Sequence, residues 1–134
     1  MDSDFFKFVL DPNKKLFLEA RSKVVNHDEY DPHSFILDDI EDLLDQKEFA
    51  KVLEIDDINL LSSPRAHSYK RYTYERLEMH REAEIAFTVC RKILECILLT
   101  GDGSKEYPHI VTKVQDEYDL LSFTGEERVS YNLL

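Results

Sequence analysis

The first residues that could hold a metal ion are two histidines with acidic residues between them. His27 and His33 bracket Asp28, Glu29 and Asp31. Structural zinc sites usually combine Cys and His at tighter, paired spacings. Both cysteines of this chain lie much further along, in a predicted helix. We therefore predict a solvated loop and no metal site.

The other three histidines do not form a recognisable catalytic motif. His67 and His80 flank a predicted helix, and His109 precedes a predicted strand. None neighbours a Ser or Cys nucleophile together with an orienting acid. We expect His67 to pack in the core. The sequence predicts neither an enzyme nor a cofactor, although a site assembled across several helices would escape this test.

The segment from Thr100 to Ser104, with the sequence TGDGS, resembles a phosphate or calcium loop in composition. A phosphate-binding loop precedes a helix, whereas this one follows a helix. An EF-hand needs further acids in register and a Glu at position twelve, which are absent. We predict a capping turn: Gly101 ends the helix in a left-handed conformation, and Asp102 accepts hydrogen bonds from nearby backbone N–H groups.

Acidic residues cover one face of the second predicted helix. Asp38 with Asp42, and Glu41 with Asp45, are neighbours four residues apart. General acid–base catalysis needs a desolvated cleft that shifts a pKa, and this face is predicted to meet solvent. We interpret these acids as solvating the helix, with a docking surface for a basic partner as the alternative.

The net charge of the chain bears on its binding partners, and its N-terminal residues bear on its cellular compartment. The net charge is −11, which disfavours binding to nucleic acids and anionic membranes. No segment reaches the roughly 20 apolar residues that span a bilayer. The acidic start lacks the basic and apolar regions of a signal peptide, although a leader already removed would leave the same pattern. We expect a cytoplasmic protein.

The chain of 134 residues fits a single domain, residues 1–134, with enough apolar residues for a core. Cys90 and Cys96 lie six positions apart in one predicted helix, about 120° apart around its axis. They cannot bridge each other, and we expect both to be buried as small hydrophobic side chains.

Hydrophobic spacing predicts a mainly α-helical fold with a short C-terminal pair of strands. The five predicted helices cover approximately residues 12–26, 32–45, 47–55, 64–78 and 81–99. Segments 108–114 and 128–133 have the β-branched or alternating pattern of strands, and a short helix is possible between them. Residues 108–134 would thus form a β-containing appendage of the same domain. The fifth helix is predicted to be central, because apolar residues line two of its sides and each side needs a neighbour. One side carries Ala83, Phe87, Cys90, Leu94 and Ile97, and the other carries Ile85, Val89, Ile93 and Cys96.

The fourth and fifth predicted helices resemble one tetratricopeptide repeat, a helix–turn–helix unit of 34 residues. If Pro64 is position one, the small residues of the second helix fall on Ala83 and Cys90, and the bulky residue between them is Phe87. Tyr74 falls on the late aromatic position of the first helix. The small residues would allow close helix packing while Phe87 fills the gap.

This resemblance has departures. Arg71 stands at the usual glycine position, and Glu95 stands at the usual final proline. A preceding repeat is suggested only by Ala50, which lies 33 residues before Ala83, one short of the period. One repeat with partial neighbours is short for a solenoid, so a homodimer that extends the array is a further expectation.

A second resemblance covers approximately residues 28–125. The chain is similar to a family of small bacterial tetratricopeptide-like proteins of unknown function. The similarity lies in four segments, residues 51–55, 66–70, 97–103 and 114–121. The third contains a Gly-Asp-Gly turn, and the fourth an acidic-Glu-Tyr motif. The resemblance implies a fold and no activity.

The segment YKRYTYER, residues 69–76, interleaves tyrosines with basic residues. Such a pattern can contact nucleic acids, but the acidity of the whole chain argues against this. Tetratricopeptide-like folds usually bind peptides on the surface of their first helices, and this segment belongs to such a helix. The resemblance therefore implies a partner groove at Lys70, Arg71 and Tyr74, with packing tyrosines and solvated bases as the alternative.

The sequence favours a non-enzymatic protein-interaction module that binds an unidentified protein or peptide. The alternative is a small immunity-type antagonist, whose acidity would suit blocking a basic toxin surface.

Overall fold

The computed structural model of the protein describes residues 5–112 and 114–124, and the backbone of residues 131–133. Its helices are α1 (Lys7–Leu10), α2 (Lys14–Val25), α3 (Ile36–Asp45), α4 (Phe49–Glu54), α5 (Ile58–Leu61), α6 (Pro64–Arg76), α7 (His80–Leu98) and α8 (Val114–Thr124). The strands are β1 (His109–Val111) and β2 (Tyr131–Leu133). The predicted mainly helical class is confirmed.

The predicted number of five helices is wrong, because the described residues form eight. Helix α1 lies in the short apolar segment before Pro12. Helix α5 lies between the third and fourth predicted helices, and its first turn is capped by Asp57, which accepts from the Asn59 backbone at 2.8 Å. Of the three helices beyond the predicted five, α8 lies where the sequence allowed a short helix. The other two, α1 and α5, have only four residues each, too few for hydrophobic periodicity to reveal.

Capping side chains explain where the longer helices begin. Ser63 accepts from the Ala66 backbone at 3.2 Å and Pro64 occupies the first turn of α6, which confirms the predicted start. Helix α2 begins at Lys14 rather than at Pro12, because Asn13 accepts from the Leu16 backbone at 2.9 Å and caps it.

Helices α6 and α7 form an antiparallel hairpin around a tight turn. Glu78 has a left-handed φ of 59°, and the Met79 N–H donates to the Tyr74 carbonyl at 2.8 Å. Arg71 of α6 lies against Phe87 of α7, which places the two residues at similar distances from the turn. The predicted hairpin is therefore present.

The inward face of α7 differs from the two predicted apolar sides. Ala83 and Ala86 are buried where the hairpin closes, and the rest of the buried face is Val89, Ile93, Leu94, Cys96 and Ile97. Two residues predicted to lie inward are exposed, Ile85 at 56% and Phe87 at 37%. Phe87 lies near the surface, where Arg71 of α6 stacks on its ring.

Two hydrophobic clusters hold the helices together. The larger one joins α1, α2 and α7 with side chains from β1 and α8, and the smaller one joins α3, α4 and α5 to α6. Ala50 of α4 is exposed whereas Ala83 of α7 is buried. Ala50 and Ala83 therefore do not occupy equivalent environments, as two successive repeats would require.

The C-terminal segment continues into the larger cluster. Strands β1 and β2 pair in parallel, with His109 opposite Tyr131, and α8 lies between them in sequence. Val111 and Leu120 are fully buried in the larger cluster. The predicted strand segments 108–114 and 128–133 include β1 and β2. Residues 125–130 lie outside the described part.

A buried polar cluster fixes this segment to the helices, and we call it the Arg21 cluster. It consists of Arg21 in α2, Tyr30, Thr112 and Asp116 in α8. Arg21 Nη1 donates to the Ile110 carbonyl at 2.7 Å, and Thr112 Oγ1 donates to Asp116 Oδ2 at 3.1 Å. The Tyr30 hydroxyl donates to the Thr112 carbonyl at 3.3 Å. These bonds connect three parts of the chain that are distant in sequence.

Gly101 does not have the left-handed conformation predicted for it. Of the two glycines in the described residues, Gly103 is the one with a positive φ, at 83°. Gly101 is required for a different reason: a Cβ atom there would lie 2.2 Å from the Pro108 carbonyl oxygen. The turn thus brings the backbone before β1 directly against the end of α7.

Candidate partner-binding groove

An open groove of about 650 Å³ lies between α1, α6 and α7. Each helix supplies one part of its lining, and most of that lining is apolar. The lining residues are Phe6, Lys7, Val9 and Leu10 from α1 and its cap, His67, Lys70 and Tyr74 from α6, and Glu82, Ile85, Ala86 and Val89 from α7. We call this feature the α6 groove.

Lys70 and Tyr74 both line the α6 groove, as the sequence-based hypothesis of a partner site requires. They lie one helical turn apart, so their side chains share a face of α6. Both are half-buried. Burial lowers the pKa of Lys70, and the charge of Asp56 offsets this in part. Within residues 5–112 and 114–124, no ion pair involves Lys70.

Arg71, the third residue of that hypothesis, does not line the α6 groove. One residue further along a helix turns the side chain by about 100°. The guanidinium carbon lies 4.1 Å from the centre of the Phe87 ring, and Nε donates to Glu75 Oε1 at 3.2 Å. The structure therefore brings Lys70 and Tyr74 together and separates Arg71 from them.

His67 forms part of the groove wall and is itself 5% exposed, which confirms that it packs in the interior. Its Nε2 lies 2.8 Å from the Leu61 carbonyl, and the Phe6 ring meets it edge to face at 6.1 Å. Burial lowers the pKa of His67 to about 4, despite the hydrogen bond to Leu61. The imidazole is therefore neutral at physiological pH.

The apolar rims of the groove were not predicted as a site. Leu10 of α1 is 91% exposed, and Ile85 of α7 is 56% exposed. Sequence reasoning assigned Ile85 to the core because it follows the helical period of α7. The surplus of apolar residues on two sides of α7 was the signal that could have identified this surface.

The other predicted sites have ordinary structural roles. His27 Nδ1 accepts from the Glu29 backbone at 3.1 Å, and Asp31 Oδ1 accepts from the His33 backbone at 2.9 Å. Among the described residues no group of three or more His, Cys, Asp or Glu side chains could hold a metal ion. Asp102 Oδ1 accepts from the Ser104 backbone at 2.9 Å, as predicted for a capping turn.

The acidic face of α3 is exposed, as predicted. Asp38, Asp39, Asp42 and Asp45 all lie on the surface. Glu41 accepts a hydrogen bond from the Tyr69 hydroxyl of α6. Burial and this bond to a carboxylate raise the pKa of Tyr69 to about 12.

A second cleft, of about 360 Å³, lies between α6, α7 and α8 and contains Cys90. Arg65 Nη2 donates to Asp119 Oδ1 at 2.7 Å along its wall. Cys90 is half-buried, and burial raises the pKa of its thiol to about 11. A thiol with this pKa stays protonated at neutral pH and is a poor nucleophile.

These features describe a mainly helical fold with an open apolar groove that two lysines, Lys7 and Lys70, help to line. The chain belongs to the family described as Domain of unknown function (DUF4919), whose model matches residues 23–134. No curated protein and no solved structure matches the chain. In the described part of the chain, none of the helices combines the length and hydrophobicity needed to cross a membrane.

Proposed function

We propose that this protein is a non-enzymatic protein-interaction module of tetratricopeptide-like type, and that its partner binds in the α6 groove. The observation that carries the proposal is the exposure of apolar side chains along the groove, above all Leu10 and Ile85. Monomeric proteins rarely leave such contiguous apolar surface in water unless it meets a partner or ligand.

The type of module is supported by the α6–α7 hairpin. Ala83 is buried in α7, as the resemblance implies for its small residue, and Tyr74 lines the groove from α6, the first helix of the hairpin. The groove differs from a repeat array in its third wall, which is the four-residue helix α1.

Affinity capture from native lysate tests the proposal. We expect wild-type protein to retain a saturable partner, and Lys70→Glu to lose it without a lower melting temperature. Lys105→Glu is the matched control, since Lys105 is exposed in the loop before β1 and makes the same charge change. Arg71→Glu distinguishes the two faces of α6, and we expect it to keep the partner.

A photo-crosslinking amino acid gives independent support. At position 85 it should form an adduct with the partner, and at Thr88, exposed on the same helix, it should not. Capture that survives Lys70→Glu, or equal adducts at both positions, would count against the groove.

The second candidate is an immunity-type antagonist of a toxin. The exposed acidic face of α3 favours it, because a basic toxin surface would meet complementary charge there. Co-expression with a toxin encoded beside it should restore growth, and neutralising Asp38 and Asp42 should remove that protection. Growth restored equally by the neutralised variant would exclude this face.

A further inference from the structure

We infer that the α6 groove binds an amphipathic helix that places a carboxylate beside Lys70 and apolar side chains along α7. This inference rests on the proposed function and gives the partner a chemical class. It follows from the length of the groove, from the distribution of apolar and charged side chains in it, and from the surroundings of Lys70.

The length of the groove matches two turns of a helix. On α6 its lining runs from His67 to Tyr74, and on α7 it runs from Glu82 to Val89. Seven residues of helix cover about 10 Å, so both walls are of equal length. A bound helix would present its contact residues at positions i, i+3 or i+4, and i+7 to such a groove.

The apolar lining matches the hydrophobic face of such a helix. Val9 and Leu10 form one rim, and Ile85, Ala86 and Val89 form the other. A groove with both rims apolar and its mouth open to solvent covers one face of a helix and leaves the polar face in water. An enclosed pocket would be needed to bury a free lipid chain on all sides.

The charge of the groove requires an acid in the ligand. Lys70 is half-buried, and no ion pair compensates it among the described residues. A partly desolvated ammonium group that only the charge of Asp56 offsets is unfavourable, and a carboxylate from the ligand would relieve this. The lining also carries Glu82 on the α7 side and Lys7 on the α1 side, so the acid is expected away from α7 and beside Lys70.

The test uses a displayed library of helical peptides of about 15 residues, a length at which isolated helices begin to be stable. Positions i, i+3, i+4 and i+7 are randomised. The library is selected on the full chain and counter-selected on Ile85→Glu. We expect the enriched peptides to combine apolar residues with one Asp or Glu. Enriched peptides that lack an acid would overturn the inference.

A charge exchange then locates the acid. Binding of the best labelled peptide is measured by fluorescence anisotropy. Changing its acid to Gln should weaken binding by about tenfold, and so should Lys70→Glu in the protein. A peptide with Lys in place of the acid should bind Lys70→Glu better than wild type. The assignment would be contradicted if Lys105→Glu weakened peptide binding as much as Lys70→Glu does. It would also be contradicted if the peptide with Lys did not bind Lys70→Glu better than wild type.

The change of the peptide acid to Gln is measured on wild-type protein. It therefore tests the role of the acid even if Lys70→Glu folds poorly. Palmitate is included as a competitor. If no peptide is enriched while palmitate binds in a way that depends on Lys70, the occupant is a lipid carboxylate and the helix assignment is wrong. Failure of lysate capture with success of these peptides would instead reject the proposed function and keep the groove chemistry.

Discussion

Arg21 and Lys70 are both basic side chains withdrawn from water, one fully and one in part, and their surroundings differ. Arg21 is 2% exposed and lies within the Arg21 cluster, where the Ile110 carbonyl accepts its hydrogen bond and Asp116 balances its charge. Lys70 is half-buried in the α6 groove and has no ion pair among the described residues. A buried charge that is hydrogen-bonded within the chain belongs to the fold, whereas one that only the charge of Asp56 offsets is available to a ligand.

The pKa values of Arg21 and Lys70 show the same difference in surroundings. Burial lowers the pKa of Arg21 to about 10, and the charges of Asp116 and Tyr30 oppose this effect. The guanidinium therefore remains charged at neutral pH, and Asp116 retains a charged neighbour. Burial also lowers the pKa of Lys70, with only the charge of Asp56 opposing it. The comparison is tested by removing each charge and measuring stability.

The largest effect is expected from Arg21→Met. The change leaves Asp116 buried without its cation and the Ile110 carbonyl without its donor, so the free energy of unfolding should fall by about 3 kcal/mol or more. Urea denaturation measures this loss. Lys23→Met is the control, because Lys23 is exposed on the same helix and should change stability little.

Adding Asp116→Leu to Arg21→Met should restore part of the lost stability, since two buried charges are then replaced by apolar groups. A loss below about 1 kcal/mol for the single variant would show that the Arg21 cluster does not hold the C-terminal segment.

The second effect concerns His67, which lies in the groove wall and is buried like Arg21. In the unfolded chain its pKa is near 6.5, and in the folded chain it is about 4. Below pH 6.5 the His67 side chain therefore binds a proton in the unfolded state but not in the folded state. The free energy of unfolding should therefore fall as the pH decreases from 6.5 to 4. Below pH 4 His67 should contribute no further change.

The difference between the two pKa values corresponds to about 3 kcal/mol. Urea denaturation of wild type and His67→Gln at several pH values isolates this contribution, because other titrating groups act in both proteins. The two stability curves should converge as the pH falls from 6.5 to 4. Parallel curves would show that the imidazole accepts a proton in the folded protein, and that the groove wall is wetter than the structure indicates.

Residues near each other in sequence were the easiest part to predict. The Ser63–Pro64 start of α6, the α6–α7 hairpin and the burial of His67 depend on local patterns, and the sequence predicted all three correctly. The position of Phe87 near the surface was not predicted, and neither was its contact with Arg71 from the other helix. Helical spacing predicts which residues share a face of a helix, but it does not predict which other helix packs on that face.

The candidate site shows the same limit. Lys70, Arg71 and Tyr74 were predicted together because the tetratricopeptide resemblance implies a peptide-binding surface on this helix. Of the three, Lys70 and Tyr74 line the α6 groove. The groove itself depends on α1, which lies about 60 residues earlier in the chain. The Arg21 cluster was missed altogether, because its members come from α2, the following loop and the C-terminal segment. No spacing rule connects residues so far apart.

The smallest effect on stability, and the sharpest test of the comparison, is expected from Lys70→Met. Methionine keeps the length of the apolar stem and removes the partly desolvated charge. The free energy of unfolding should stay within about 0.5 kcal/mol of wild type, on the stabilising side, while capture of the partner is lost. Urea denaturation and affinity capture on the same preparation measure both. If the variant loses more than about 1 kcal/mol, Lys70 supports the fold as Arg21 does, and its missing ion pair no longer indicates a ligand.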